Sequence, residues 1–116
     1  MKRAGQIVLV PFPHTDLTAA KMRPVLLLRR ASGRFDDWSV CMGSSRLPRA
    51  EPDLDETITE ADGDFPASGL KVPSLVRLSR PAVIDGTIMA GAIGAIGDDR
   101  LNRIRRKPAD WLTAPE

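Results

Sequence analysis

Between Gln6 and Leu28 the chain reads QIVLVPFPHTDLTAAKMRPVLLL. Two short apolar runs rich in β-formers, Ile7 to Val10 and Val25 to Leu28, flank a polar segment punctuated by proline, which predicts strand, long loop, strand. Pro11 and Pro13 cannot donate ladder hydrogen bonds, so the first strand, ending near Phe12, must lie at an edge there or leave the sheet. The ten residues Pro13–Met22 exceed a tight hairpin turn and read as a functional or mobile loop. Arg23 stands where that loop becomes a strand. Pro24 fixes its own φ and biases Arg23 towards extended backbone. The planar, permanently charged guanidinium is thereby aimed by stiff chain and suits a phosphate.

The rest of the chain continues in short strands. Ser32-Gly33-Arg34 with Asp36-Asp37 is turn chemistry, and Trp38 to Met42 predicts a third strand that ends in Gly43-Ser44-Ser45-Arg46. A fourth is expected near Leu54 to Ile58, a fifth from Ser74 to Leu78 with Pro81 just beyond it, and a further short one at Val83-Ile84 before an Asp85-Gly86 turn. Gly63 to Gly69 reads as a loop. Thr87 to Ile96, small and apolar, reads as a strand followed by a glycine bend. Asp98 is placed as the N-cap of a helix over about Asp99 to Lys107, with Leu101 and Ile104 on one face and Pro108 as its stop. Five to seven short strands and one terminal helix fit a small, strongly bent β-barrel better than alternating βαβ units.

A length of 116 residues suits one domain with one core, spanning residues 1–116. Aromatic residues are only 4% with no Tyr, which argues against a broad base-stacking platform. No apolar run approaches the roughly 18 residues that cross a bilayer, and the MKRAGQ start leads straight into a strand, so a cytoplasmic protein is expected. One Cys and one His exclude an intrachain disulfide and make a Cys/His metal site within the monomer improbable; no cofactor is expected. The net charge of +2 conceals a segregation. Residues 51–64 carry seven acids and no base, leaving 17 bases against eight acids elsewhere. That imbalance is compatible with an anionic partner and equally with a solvated basic face.

The segments GQIVLVPFPHTDL, KMRPVLLL, MGSS, GLKVPSLVRL with RPAVID, and GAIGAIGDDRL resemble, in this order, the PemK/MazF family of type II toxin–antitoxin ribonucleases. The resemblance implies a mainly β fold with a C-terminal helix, a small SH3-like β-barrel that forms a homodimer. It implies cleavage of single-stranded RNA without a metal, and silencing by a cognate antitoxin, with DNA met only indirectly through the antitoxin complex and no membrane involved. The family's RP arginine and strand-end hydroxyl map onto Arg23 and Ser44; the family usually has threonine at the latter position, whose methyl restricts χ1. Some members pair an arginine with an aspartate two residues on as acid and base. Here the arginine is Arg77 and the aspartate position is Ser79, so that pair cannot operate as drawn.

Metal-free cleavage needs the 2′-OH deprotonated, the phosphorane charge stabilised and the 5′-oxygen protonated. Arg23, Ser44 and Arg77 are the catalytic candidates, the arginines as donors to non-bridging oxygens; Arg77 equally fits a dimer-interface ion pair. Neither guanidinium is an easy proton donor. His14 alone has an unperturbed pKa near neutrality, about 6.5. It either shuttles a proton, stacks on a base or is exposed. His14, Thr15 and Asp16 in the loop, with Lys21, Ser45, Arg46 and Ser79, are candidate RNA contacts, although turn formation or solvated charge would also account for several of them. Cys41 reads as a buried small hydrophobe, and the basic residues of the terminal helix read as partners of its dipole. Two further readings stand beside the ribonuclease: a poison of DNA gyrase like the CcdB toxins, which share the barrel, and a catalytically weakened member acting mainly as antitoxin partner or corepressor.

Overall fold

In a computed structural model, which describes residues 2–13 and 20–115, the chain folds into a six-stranded antiparallel half-barrel sheet with a C-terminal helix packed against it. The strands are β1 (Gln6–Pro13), β2 (Ala20–Arg30), β3 (Asp37–Ser44), β4 (Glu56–Ile58), β5 (Ser74–Asp85) and β6 (Gly91–Ala95), in the order β4-β5-β3-β2-β1-β6. The helices are α1 (Phe65–Ser68) and α2 (Asp98–Thr113), with 3₁₀ turns at Leu47–Arg49 and Gly86–Ile88. The mainly β fold with a terminal helix is as expected.

Strand alternation divides the core between the two faces of the sheet. On one face Ile7, Leu26, Leu28, Cys41, Val76 and Leu78 meet Leu101 and Ile104 of α2. On the other Val8, Val10, Val25, Leu27, Trp38 and Val40 pack with Met42, Ile84 and Met89. Because both faces of the central strands are covered, β2 reads as a continuous apolar run instead of an alternating one.

Several boundaries differ from the sequence reading, each for a physical reason. β2 begins at Ala20, paired with Pro13, so the β1–β2 hairpin has longer arms than a strand from Pro24 would give. The proline-rich end of β1 pairs only with β2, because β6 stops alongside Leu9. The expected fifth strand and the short strand at Val83-Ile84 are one strand, β5. A register shift between Cys41 and Met42 skips Leu78, Ser79 and Arg80, and Pro81 is accommodated opposite Cys41, beyond the stretch paired with β4. Between Thr87 and Ile96 the order is turn then strand. The helix is capped by Gly97 and runs through Pro108 to Thr113. The donor lost at Pro108 does not end it; Arg105 Nε, in the turn before, donates to the Leu28 carbonyl at 2.9 Å and ties this part of the helix to β2.

Candidate functional site

The register sets the site. Val10 pairs with Arg23 and Leu9 with Pro24 across β1–β2, while Val25 pairs with Met42 across β2–β3. Continuing that register puts Gly43 beside Pro24 and Ser44 beside Arg23. The approach is close: a Cβ on Gly43 would stand 3.1 Å from both the Pro24 ring and its carbonyl oxygen. Across β3–β5, Met42 pairs with Arg77 and Ser44 with Leu75. Since directly opposed residues share a face, Arg23, Ser44 and Arg77 lie on the same face of the sheet, in neighbouring rows.

At this end of the strands a cleft of about 400 Å³ opens. Its lining joins Lys21, Arg23, Ser44 and Ser45, from β2 and the end of β3, to Gly69, Leu70, Lys71 and Val72 after α1 and to Ile93 of β6, with Leu9 and Pro24. Three bases and no acid line it among the described residues. Lys21, Arg23, Ser45 and Lys71 are exposed and Ser44 half-buried. The Ser44 Oγ accepts the Arg46 backbone N–H at 3.1 Å. Its own proton remains available to a ligand in the cleft.

The other candidates are placed elsewhere. Arg46 is exposed and touches the site through its backbone. Arg77 is half-buried, and its Nε is fully covered, with no hydrogen-bond partner among the described residues. Ser79 does not line the cleft; its backbone N–H and its hydroxyl both reach Asp55 Oδ1 at 2.9 Å. Asp55 is itself buried. Burial pushes its carboxyl up, but hydrogen bonds from Glu51 and Ser79 and the Arg77 charge outweigh it and hold the pKa below the usual range. His14, Thr15 and Asp16 lie outside the described residues.

Lys71, Val72 and Ile93 had no signal in the sequence beyond their place inside GLKVPS and GAIGAI. Only the packing of the 65–72 segment on β6 brings them to the cleft. Cys41 is fully buried, and burial lifts its thiol to about 12, so it is no nucleophile at neutral pH. Among the described residues no group of three or more His, Cys, Asp or Glu is arranged to hold a metal ion.

The acidic segment is answered by α2. Buried Arg100 bonds Asp64 at 2.7 Å and Glu56 at 2.8 Å and lies 3.2 Å from Asp62, while Arg103 and Lys107 also reach Glu56. The Arg100 hydrogen bond is the main reason that the Asp64 carboxyl stays low. For Glu56, burial acts upward, but Arg103, Lys107 and Arg100 together keep it low. These acids thus neutralise helix bases and leave the cleft positive.

Solved structures with the same fold include a mycobacterial endoribonuclease in complex with its cognate antitoxin, at 16% identity, TM-score 0.67 and coverage of 100% of this chain and 99% of that one. The Mycobacterium tuberculosis toxin MazF-mt6 matches at 17% identity and TM-score 0.68, over 96% of this chain and 99% of that one. The MazF of a MazE–MazF crystal structure from Deinococcus radiodurans matches at 19% and 0.68, over 98% of both chains. A comparison with curated proteins gave no match. At these identities the structures speak for the fold. The family description "PemK-like, MazF-like toxin of type II toxin-antitoxin system" matches residues 3–112, nearly the whole chain, and the protein therefore belongs to that toxin family.

Proposed function

We propose that the protein is an endoribonuclease that cleaves single-stranded RNA with sequence selectivity, works without a metal in the cytoplasm, and is held inactive by a cognate antitoxin. The observation that carries this reading is the placement of Arg23 and Ser44 in a cleft whose described lining holds three bases and no acid, with Arg77 in a neighbouring row of the same sheet face. In the reaction the 2′-oxygen loses its proton and bonds to phosphorus, the P–O5′ bond breaks, and the departing 5′-oxygen takes a proton. A 2′,3′-cyclic phosphate and a 5′-OH remain. Arg23 donates to the non-bridging oxygens as charge develops, and Ser44 adds its hydroxyl proton. Arg77, in the neighbouring row of the same face and outside the cleft lining, adds positive charge to the site at longer range. His14 is the residue whose titration suits proton transfer near neutrality.

The antitoxin reading draws on the mycobacterial and Deinococcus complexes, which are structures of such pairs. A homodimer is proposed too. The outer half of β5 and the end of α2 support it, exposing Val83, Trp111 and Leu112 at 66%, 56% and 73%. Sedimentation showing only monomer at micromolar concentration would count against the dimer.

Incubating the purified protein with a long unstructured RNA in EDTA tests the activity. Wild type leaves cyclic phosphate ends, Arg23→Ala is slower by about 100- to 1000-fold, and Ser44→Thr retains activity where Ser44→Ala loses it. An intact RNA across many sequences and pH values would sink the ribonuclease reading and favour a gyrase poison or a non-catalytic antitoxin partner.

A further inference from the structure

The cleft lining is chemically mixed: beside its bases and hydroxyls it gathers aliphatic carbon that the fold leaves in solvent. Met22, Val72 and Ile93 are 40%, 53% and 37% exposed, and Leu70 lines the cleft with them. Concentrated exposed apolar surface beside polar groups marks a ligand site more often than scattered single residues do. The segment that carries Leu70 and Val72 is also rigidly mounted. Gly69 has φ +76° and lies so close to β6 that a Cβ would stand 2.1 Å from the Ile93 carbonyl oxygen. Gly94 is its counterpart, where a Cβ would stand 2.2 Å from the Ala67 carbonyl oxygen. Backbone therefore presses on backbone at two successive points, and the segment after Gly69 has a fixed place beside Ile93.

We propose that Leu70, Val72 and Ile93, with Met22, form the seat of one nucleobase next to the phosphate held by Arg23 and Ser44, and that Lys71 takes the adjoining phosphate. The proposal rests on the ribonuclease reading and deepens it. Charge complementarity selects the occupant. A nucleotide joins a flat, weakly polar ring to an anionic phosphate, and the cleft joins an aliphatic wall to Lys21, Arg23 and Lys71 with no acid among its described lining residues. A purely apolar peptide would leave the bases and hydroxyls unanswered, and an acidic one would leave the wall without contact. Because the wall offers aliphatic side chains in place of an aromatic plane, it discriminates bases by fit and not by stacking strength. Val72 and Ile93 are therefore specificity-determining, whereas Lys71 contributes charge without sequence information.

The test is cleavage of an RNA pool randomised around the cut, read by sequencing the new ends, for wild type, Val72→Ala, Ile93→Ala, Val72→Phe and Lys71→Ala. Both seat side chains are exposed enough for truncation to spare the core, and Val72→Phe changes the seat by adding bulk. The seat is supported if the Val72 and Ile93 variants slow cleavage at preferred sites by about tenfold while shifting base preference at one nucleotide flanking the cut. For Lys71→Ala, support is a uniform slowing with an unchanged preference and a salt dependence reduced by about one ion. A wild-type preference in all three seat variants overturns the seat while leaving the ribonuclease intact. If wild type neither cleaves the pool nor binds its 2′-O-methyl counterpart, the ribonuclease reading itself falls, and the seat with it.

Discussion

Ser79 shows how a residue's company decides its meaning. In sequence it occupies a position where some relatives carry an aspartate; in the fold its hydroxyl and N–H are spent on the buried Asp55 carboxylate. This clamp stands where β5 bulges away from β3, between Arg77 and Pro81. Removing the hydroxyl leaves the Asp55 carboxylate one charge-assisted hydrogen bond short in a partly buried place. Ser79→Ala should therefore cost about 1.5–3 kcal/mol, measured by urea unfolding, and an unchanged midpoint would show the clamp to be dispensable. Arg23 presents the opposite case. Its role is suggested by its neighbour Pro24, a local covalent constraint, and no distant contact is needed to recognise it.

At the level of elements, the junction of α1 with β6 is packed backbone against backbone through two glycines. Gly69 and Gly94 each leave no room for a methyl group, and Gly69 also needs a left-handed φ. Gly94→Ala must push the backbones of α1 and β6 apart, for an expected loss of about 2 kcal/mol or more, of the order seen for overpacked cores. Thermal unfolding measures it, and a wild-type Tm would disprove the close packing. The long β5 and the helix continuing past Pro108 follow a similar rule. Local breakers terminate elements only when tertiary contacts do not hold the chain on its course, and here the bulge opposite Cys41 and the Arg105–Leu28 hydrogen bond hold it.

For the molecule as a whole, the cluster of Arg100, Glu56, Asp62 and Asp64 joins α2 to the acidic segment across 36 to 44 positions of chain. The Asp55, Glu56 and Asp64 carboxyls all lie below their ordinary values, with their protonated forms disfavoured by the fold. A folded pKa below the unfolded one contributes stability that is fully present above about pH 4–5 and is lost as pH falls through the folded value. Denaturant midpoints should accordingly hold from pH 7 down to about 5 and then decline. Arg100→Met leaves Asp64 without its guanidinium partner and Glu56 with only Arg103 and Lys107, and should cost about 1.5–3 kcal/mol at pH 7. The penalty should shrink below about pH 4, as those groups take up protons. A penalty constant with pH would show that Arg100 acts by packing alone.

Much of the fold was legible because it is written in local rules. The apolar runs of β1, β2 and β3, the Asp85-Gly86 turn, and the Leu101–Ile104 face of α2 each depend on a few neighbouring residues, and each was placed to within a few positions. The position of Arg23 at the loop end of a strand was legible from the RP step, whereas Ser44 was singled out by resemblance to the family, and the roles of both stand as proposals. Tertiary structure alone decided the rest. It set the register that puts Arg23, Ser44 and Arg77 on one face, the partner of Ser79, the consumption of acidic charge by α2, and the meeting of Lys71, Val72 and Ile93 with Arg23 in one cleft. These are contacts between segments far apart in the chain, fixed by pairing and close packing, and no periodicity along the sequence encodes them.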